Sequence, residues 1–240
     1  MKLQTVSDYT KMSELAADVV ARQIFQKPDS LLGFATGSTP EGLYSCLVGK
    51  FLRGQLDFSR VTCVNLDEYY PIRPDNEQSY RYFMNRHLFN HVNINKENTY
   101  VPDGTASDGD AESRRYDALI DSLGEVDLQV LGIGRNGHIG FNEPGDYLIP
   151  GTHVTTLTES TIEANARFFP TKDDVPKQAL TMGIGTILKS KKILLLVSGK
   201  EKHNALQALM DGKITTKYPV TFLLLHRDVT VICDADAYNG

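Results

Sequence analysis

Apolar positions along this chain follow two rhythms. Short unbroken apolar runs mark buried strands, and apolar residues three and four apart mark helices with one buried face. Leu3–Val6 reads as a first short strand, and Tyr9–Phe25 follows with Met12, Leu15, Ala16, Val19, Val20 and Ile24 at helical spacing. Pro28 and Asp29 end that helix. Ser30–Ala35 is a buried strand, and Leu43–Leu52 carries the next helical pattern, with Pro40 in its first turn and Thr39 as its N-cap. Val61–Leu66 is a strand that ends on Asp67-Glu68-Tyr69-Tyr70. A helix is expected over Asn76–Asn90, with Tyr80, Phe83, Met84 and Leu88 forming a core-facing stripe. Tyr100–Asp110 is a polar turn whose spacing fails the calcium-loop pattern, Ala111–Leu123 a helix and Val126–Ile133 a strand.

Beyond Gly145 the rhythm weakens. Val154–Leu157 fits a strand, Ser160–Phe168 a short helix carrying Arg167, and Lys172–Pro176 a charged loop. Gln178–Leu188 is expected to lead into a helix packed on the core. Lys192–Val197 is a buried strand, Glu201–Met210 a helix and Val229–Cys233 the last strand. Strand and helix alternate with short connections and no internal repeat. This predicts an α/β fold with a doubly wound, mostly parallel sheet and helices on both faces (Rossmann-like).

Composition narrows the picture. The 240 residues suit one large α/β domain or two small ones, and no linker rich in Pro, Gly or Ser divides them, so a single domain over residues 1–240 is expected. Net charge is −5 without a basic run, which disfavours nucleic acid as a partner. Cys46, Cys63 and Cys233 are odd in number and scattered, which fits reduced thiols in a cytoplasmic protein and no metal site. The N-terminus lacks the apolar core of a signal peptide, and Ile193–Val197 is far too short to span a membrane.

Candidate chemistry gathers where strands end, because open α/β sheets bind ligands at the carboxyl ends of their strands. After Ser30–Ala35 comes Thr36-Gly37-Ser38-Thr39, which is either a cradle presenting free N–H groups to a phosphate or an ordinary strand-to-helix turn. Asp67 and Glu68 follow the next strand. Alternation points them in different directions, so one faces a given site; the bland expectation for Asp67 is a loop cap, and for Glu68 a solvated charge or ion pair. After Val126–Ile133 come Asn136, His138 and Glu143 within a glycine-dense loop. Gly132, Gly134 and Gly137 spell GxGxxG there, but Pro144 and Gly145 break any following helix and no acidic strand end comes next, so the dinucleotide fingerprint fails. Ser198–Lys202 follows a later strand. A His can shuttle a proton between oxygens, and a carboxylate can take one from a carbon beside a carbonyl. That pairing suits ring opening and enolisation of a sugar phosphate.

The segments TGSTPEGLY, NLDEYYP, GIGRNGHIGFNEPG, ANARFFP and ALTMGIGTIL resemble the glucosamine-6-phosphate deaminase family, over roughly Leu31–Cys233. The resemblance implies conversion of D-glucosamine 6-phosphate and water to D-fructose 6-phosphate and ammonia, with no cofactor. It implies Asp67 as the proton acceptor for enolisation and His138 as the ring-opening acid/base, oriented by Glu143 and Asn136. Many family members carry Asp where this chain has Asn136, which implies an imidazolium held less strongly and a changed pH profile. The phosphate would sit on Thr36, Gly37, Ser38 and Thr39 with Arg167 and Lys202; a surface ion pair and a solvated lysine are the bland alternatives for the last two. A lid is expected around Ser160–Val175. The stretch Gly151–Thr156 lacks the Lys or Arg that allosteric hexameric members carry, and the chain stops at Gly240. A smaller, non-allosteric, monomeric enzyme is therefore expected. The competing expectations are a 6-phosphogluconolactonase-type hydrolase on a similar fold and a non-catalytic sugar-phosphate sensor domain.

Overall fold

The computed structural model describes residues 1–240. Its strands are β1 (Lys2–Val6), β2 (Leu31–Phe34), β3 (Thr62–Asn65), β4 (Asp67–Tyr70), β5 (Thr99–Tyr100), β6 (Leu128–Leu131), β7 (His153–Thr156), β8 (Gln178–Thr181), β9 (Ile193–Val197) and β10 (Val229–Asp234). The helices are α1 (Tyr9–Gln26), α2 (Ser38–Leu52), α3 (Tyr80–Met84), α4 (Gly109–Leu123), α5 (Glu159–Asn165), α6 (Ile184–Leu188), α7 (His203–Met210) and α8 (Ala235–Asn239). Seven strands pair in parallel in the order β1-β10-β9-β6-β2-β3-β5. The expected doubly wound sheet is therefore present.

Period-two alternation divides the core between the two faces of this sheet. In β9, Leu194 and Leu196 face α1 and α2, where Met12, Ala16, Val20, Leu43 and Leu47 are fully buried. The alternate residues Ile193, Leu195 and Val197 join Tyr116 of α4, Ile187 of α6 and Leu206 of α7 on the other face. Each fully buried aliphatic side chain stabilises the fold by roughly 1.5–3 kcal/mol, well above what an exposed ion pair contributes. Burial on both faces is why these strands read as unbroken apolar runs. No helix is long and apolar enough to cross a membrane.

A second sheet was not legible. β4, β8 and β7 form an antiparallel sheet with β8 in the middle, pairing Asp67 with Thr181 and His153 with Thr181. Tyr69 and Ala179 pack beneath it with Ile72, Phe141 and Leu157. The stretch Gln178–Leu188, expected to lead into a helix, thus opens as a strand and becomes helical over Ile184–Leu188. Two other boundaries shift. The helix expected from Asn76 begins at Tyr80, capped by the Ser79 side chain, and widens to a π-turn at Asn85–Phe89. The N-cap of α2 is Gly37 rather than Thr39, because Gly37 adopts φ 88°, which glycine alone reaches without strain.

Asp127 ties the amino end of the central sheet together. It is 4% exposed, and its carboxylate accepts from the Leu31 N–H at 2.9 Å and from the Lys27 and Lys191 ammonium groups at 2.8 Å each. Burial opposes its ionisation, but these donors outweigh it and hold the carboxyl below its usual range. Asp127→Ala strands a buried N–H and should lower stability by about 1–3 kcal/mol at neutral pH, measured by urea unfolding. The folded pKa is depressed, so this contribution is present above the unfolded value of about 4. The gap between wild type and variant should therefore close as pH falls through the folded pKa.

Candidate active site

β2 and β6 are neighbours, but the chain winds away from them in opposite directions, through β3 and β5 on one side and β9 and β10 on the other. Such a switch point leaves a crevice at the carboxyl ends of the strands. A cavity of about 520 Å³ opens there, lined by residues that follow β2, β3, β6 and β9. Thr36, Gly37, Ser38, Thr39, Asp67, Asn136, His138, Arg167 and Lys202 all line it. Glu143 does not; it stands behind His138, with its side chain 7% exposed.

One end of the cavity is cationic. The turn before α2 has no side-chain cap, so its first N–H groups are free. Tyr9 braces this turn from α1, donating to the Ser38 carbonyl at 2.9 Å and accepting from the Gly42 N–H at 2.8 Å. Arg167 donates to the Ser38 hydroxyl at 3.1 Å, with its guanidinium over the Phe168 ring. Lys202 follows a turn anchored by Asp234, which accepts from the Ser198 hydroxyl and the Gly199 N–H. Burial lowers the Lys202 pKa to about 8, and the nearby Arg135 and Arg167 push the same way against Glu201. Free N–H groups, hydroxyls and cations in this arrangement suit a phosphate.

Asp67 lies at the join of the two sheets, 6% exposed and facing the cavity. Burial raises its pKa to about 8, the neighbouring Glu68 adds to this, and no hydrogen bond offsets it. Glu68 corrects the expectation of a solvated charge. It is 2% exposed and accepts from the N–H groups of Tyr69, Tyr80 and Arg81 at 2.9, 2.8 and 3.0 Å. It caps the start of α3, where a carboxylate is favoured by the helix dipole. Burial nonetheless raises its pKa above the usual range.

The glycine loop after β6 opens no helix. It folds back on itself, with the Gly134 N–H donating to the His138 carbonyl at 2.9 Å. A Cβ on Gly134 would lie 2.4 Å from His138 Nε2, so the GxGxxG pattern here makes room for an imidazole, not a dinucleotide. His138 Nδ1 is 3.3 Å from Glu143 Oε2, and Asn136 Nδ2 donates to the same oxygen at 2.7 Å. Asn136 Oδ1 accepts the His138 N–H at 3.2 Å, so Asn136 braces the loop and the carboxylate without touching the ring. Thr161 donates to Glu143 Oε1. Burial disfavours the Glu143 carboxylate, but these partners overcome it and leave the pKa below its usual range. A carboxylate on Nδ1 fixes the imidazole tautomer and frees Nε2 for proton transfer.

Sequence reasoning missed Tyr9, Arg135, Thr161 and Asn165, which also line the cavity. Arg135 adjoins the strand-end polar set and was within reach. Asn165 lies in the segment ANARFFP, two residues before Arg167, and was likewise within reach; Thr161 resembles any hydroxyl in a first helical turn, and Tyr9 gave no signal. No group of three or more His, Cys, Asp or Glu is placed to hold a metal ion.

Fold and site together define an α/β protein that can hold an anionic small molecule at the switch point of its sheet and move protons on it. The chain belongs to the glucosamine-6-phosphate isomerase/6-phosphogluconolactonase family, whose model matches residues 8–232. Glucosamine-6-phosphate deaminases of Clostridium perfringens and Clostridioides difficile are 54% and 55% identical to it, each over 99% of this chain and over 98% and 95% of their own lengths. A solved monomeric glucosamine-6-phosphate deaminase is 50% identical, with a TM-score of 0.98 over 100% of this chain and 99% of its own. The 6-phosphogluconolactonase of Thermotoga maritima shares the fold at 22% identity, with a TM-score of 0.74 over 97% of this chain and 98% of its own.

Glu68→Gln replaces one acceptor oxygen with a donor facing a backbone N–H and should cost about 1–3 kcal/mol of stability in urea unfolding. It also removes a like charge beside Asp67. The Asp67 carboxyl should then titrate at lower pH, as followed by carbon NMR of its side chain.

Proposed function

We propose that this chain converts D-glucosamine 6-phosphate and water to D-fructose 6-phosphate and ammonia. The observation that carries this is one cavity with a cationic cradle at one end and two groups able to move protons, the buried Asp67 and the carboxylate-backed His138, beside it. The phosphate rests on Thr36, Gly37, Ser38 and Thr39 and is paired by Arg167 and Lys202. His138, oriented by Glu143 and Asn136, moves a proton between the ring oxygen and the C1 hydroxyl to open the sugar. The aldehyde at C1 acidifies the C2 proton, and Asp67 takes that proton and returns it to C1, while a proton passes from the C2 amine to the C1 oxygen. The double bond then lies between C2 and nitrogen, and water adds to C2 and releases ammonia. No step calls for a redox cofactor. The chain acts as a monomer in the cytoplasm, a reading supported by its 50% identical monomeric relative and its three unpaired cysteines.

Ammonium release from glucosamine 6-phosphate is the direct test, and Asp67→Asn should reduce it by about 10²–10⁴-fold, the usual worth of a general base. Opening of 6-phosphogluconolactone without ammonium release would move the chain to the lactonase side of its family. Asp67 works only when deprotonated. Burial pushes its carboxyl up to about 8, so kcat/KM should fall as pH drops below that value. Arg167→Ala removes a charge-assisted phosphate contact and should raise KM about ten- to a hundredfold. An unchanged KM would take Arg167 out of the phosphate site.

A further inference from the structure

We infer that Thr161 is a positioning residue for His138: its hydroxyl, carried in on α5, holds Glu143 in the orientation that fixes the imidazole. The inference rests on the deaminase reading above and adds a residue to it. Thr161 is 3% exposed, although Glu159 and Glu163 on the same short helix are exposed. Its hydroxyl is committed in both directions. It accepts from the Thr158 hydroxyl at 3.1 Å and donates to Glu143 Oε1, and its oxygen lies 3.5 Å from His138 Nδ1.

The division of labour on Glu143 gives this contact its weight. Asn136 and His138 both address Oε2, and Thr161 alone addresses Oε1. Torsion about the last bond of a glutamate is broad, so a carboxylate held at one oxygen can turn. If it turns, the His138 Nδ1 contact lengthens and the ring loses its fixed tautomer. Helix capping does not account for the hydroxyl. The cap of α5 is Thr158, which accepts from the Thr161 backbone N–H. Nor does the helix depend on this bond for its placement, because Asn165 one turn later donates to the Tyr69 hydroxyl at 2.9 Å.

The test compares Thr161→Val, which keeps the shape and removes the hydroxyl, with Thr161→Ser, which keeps the hydroxyl. In Thr161→Val, kcat should fall about tenfold or more while KM stays within about threefold, because the contact acts on the reacting group rather than on binding. The two ring-nitrogen NMR signals of His138 in the free protein should move towards each other as the tautomers mix. Thr161→Ser should keep kcat within about twofold of wild type. A wild-type kcat or unchanged ring signals in Thr161→Val would overturn the inference, as would an equal loss in Thr161→Ser. Should Thr161→Val fail to fold, Thr161→Ala is read the same way. If wild type itself releases no ammonium, the deaminase reading fails instead, and the ring signals still decide on Thr161.

Discussion

The backbone of Leu66 belongs to two sheets at once. Its N–H donates to the Phe34 carbonyl across the parallel sheet at 3.1 Å, and its carbonyl accepts from the Met182 N–H of the antiparallel one at 2.7 Å. Both groups are buried, and neither can be left unpaired cheaply. A slip of one residue here would break both bonds and turn Asp67 to the opposite face of its strand. The carboxylate at the centre of the proposed chemistry is therefore aimed by backbone pairing on either side of its predecessor, without a side-chain hydrogen bond of its own.

That lack of a hydrogen-bond partner has consequences. Asp67 is buried and Lys202 half-buried at different parts of one cavity, they are of opposite sign, and desolvation pushes each towards its neutral form. A ligand carrying a phosphate supplies the charge that Lys202 lacks. In the deaminase reading, the amine on C2 brings positive charge near Asp67. In that reading the substrate carries a counter-charge for each of these two groups. Glu143 is the opposite case: both of its oxygens already have partners in the protein, which in the deaminase reading leaves it to orient rather than react.

The central sheet was legible because its strands are buried on both faces and read as apolar runs, and because strand ends carry the polar residues. The cradle, Asp67, His138 and Glu143 were legible for the same reason. The small antiparallel sheet was hidden. β8 reads QALT and runs straight into helical Ile184–Leu188, and β7 reads HVTT with no fully buried residue, so neither shows a strand's full pattern. Glu68 was misjudged because its partners are backbone N–H groups of Tyr80 and Arg81, which a sequence does not display. The N-cap of α2 is expected two residues too late, at Thr39, because the chain uses the positive φ of Gly37 to begin the helix early, leaving the threonine free to face the cavity.

The Tyr9 brace links the cradle to the packing of the first helix. Tyr9 opens α1, and Met12, Ala16 and Val20 of that helix share a core with Leu43 and Leu47 of α2, so the turn before α2 is steadied by the same contact that docks α1. Ligand binding favours whichever state can bind, so in the deaminase reading a phosphorylated substrate would stabilise the docked arrangement of the two helices over any state in which α1 is loose.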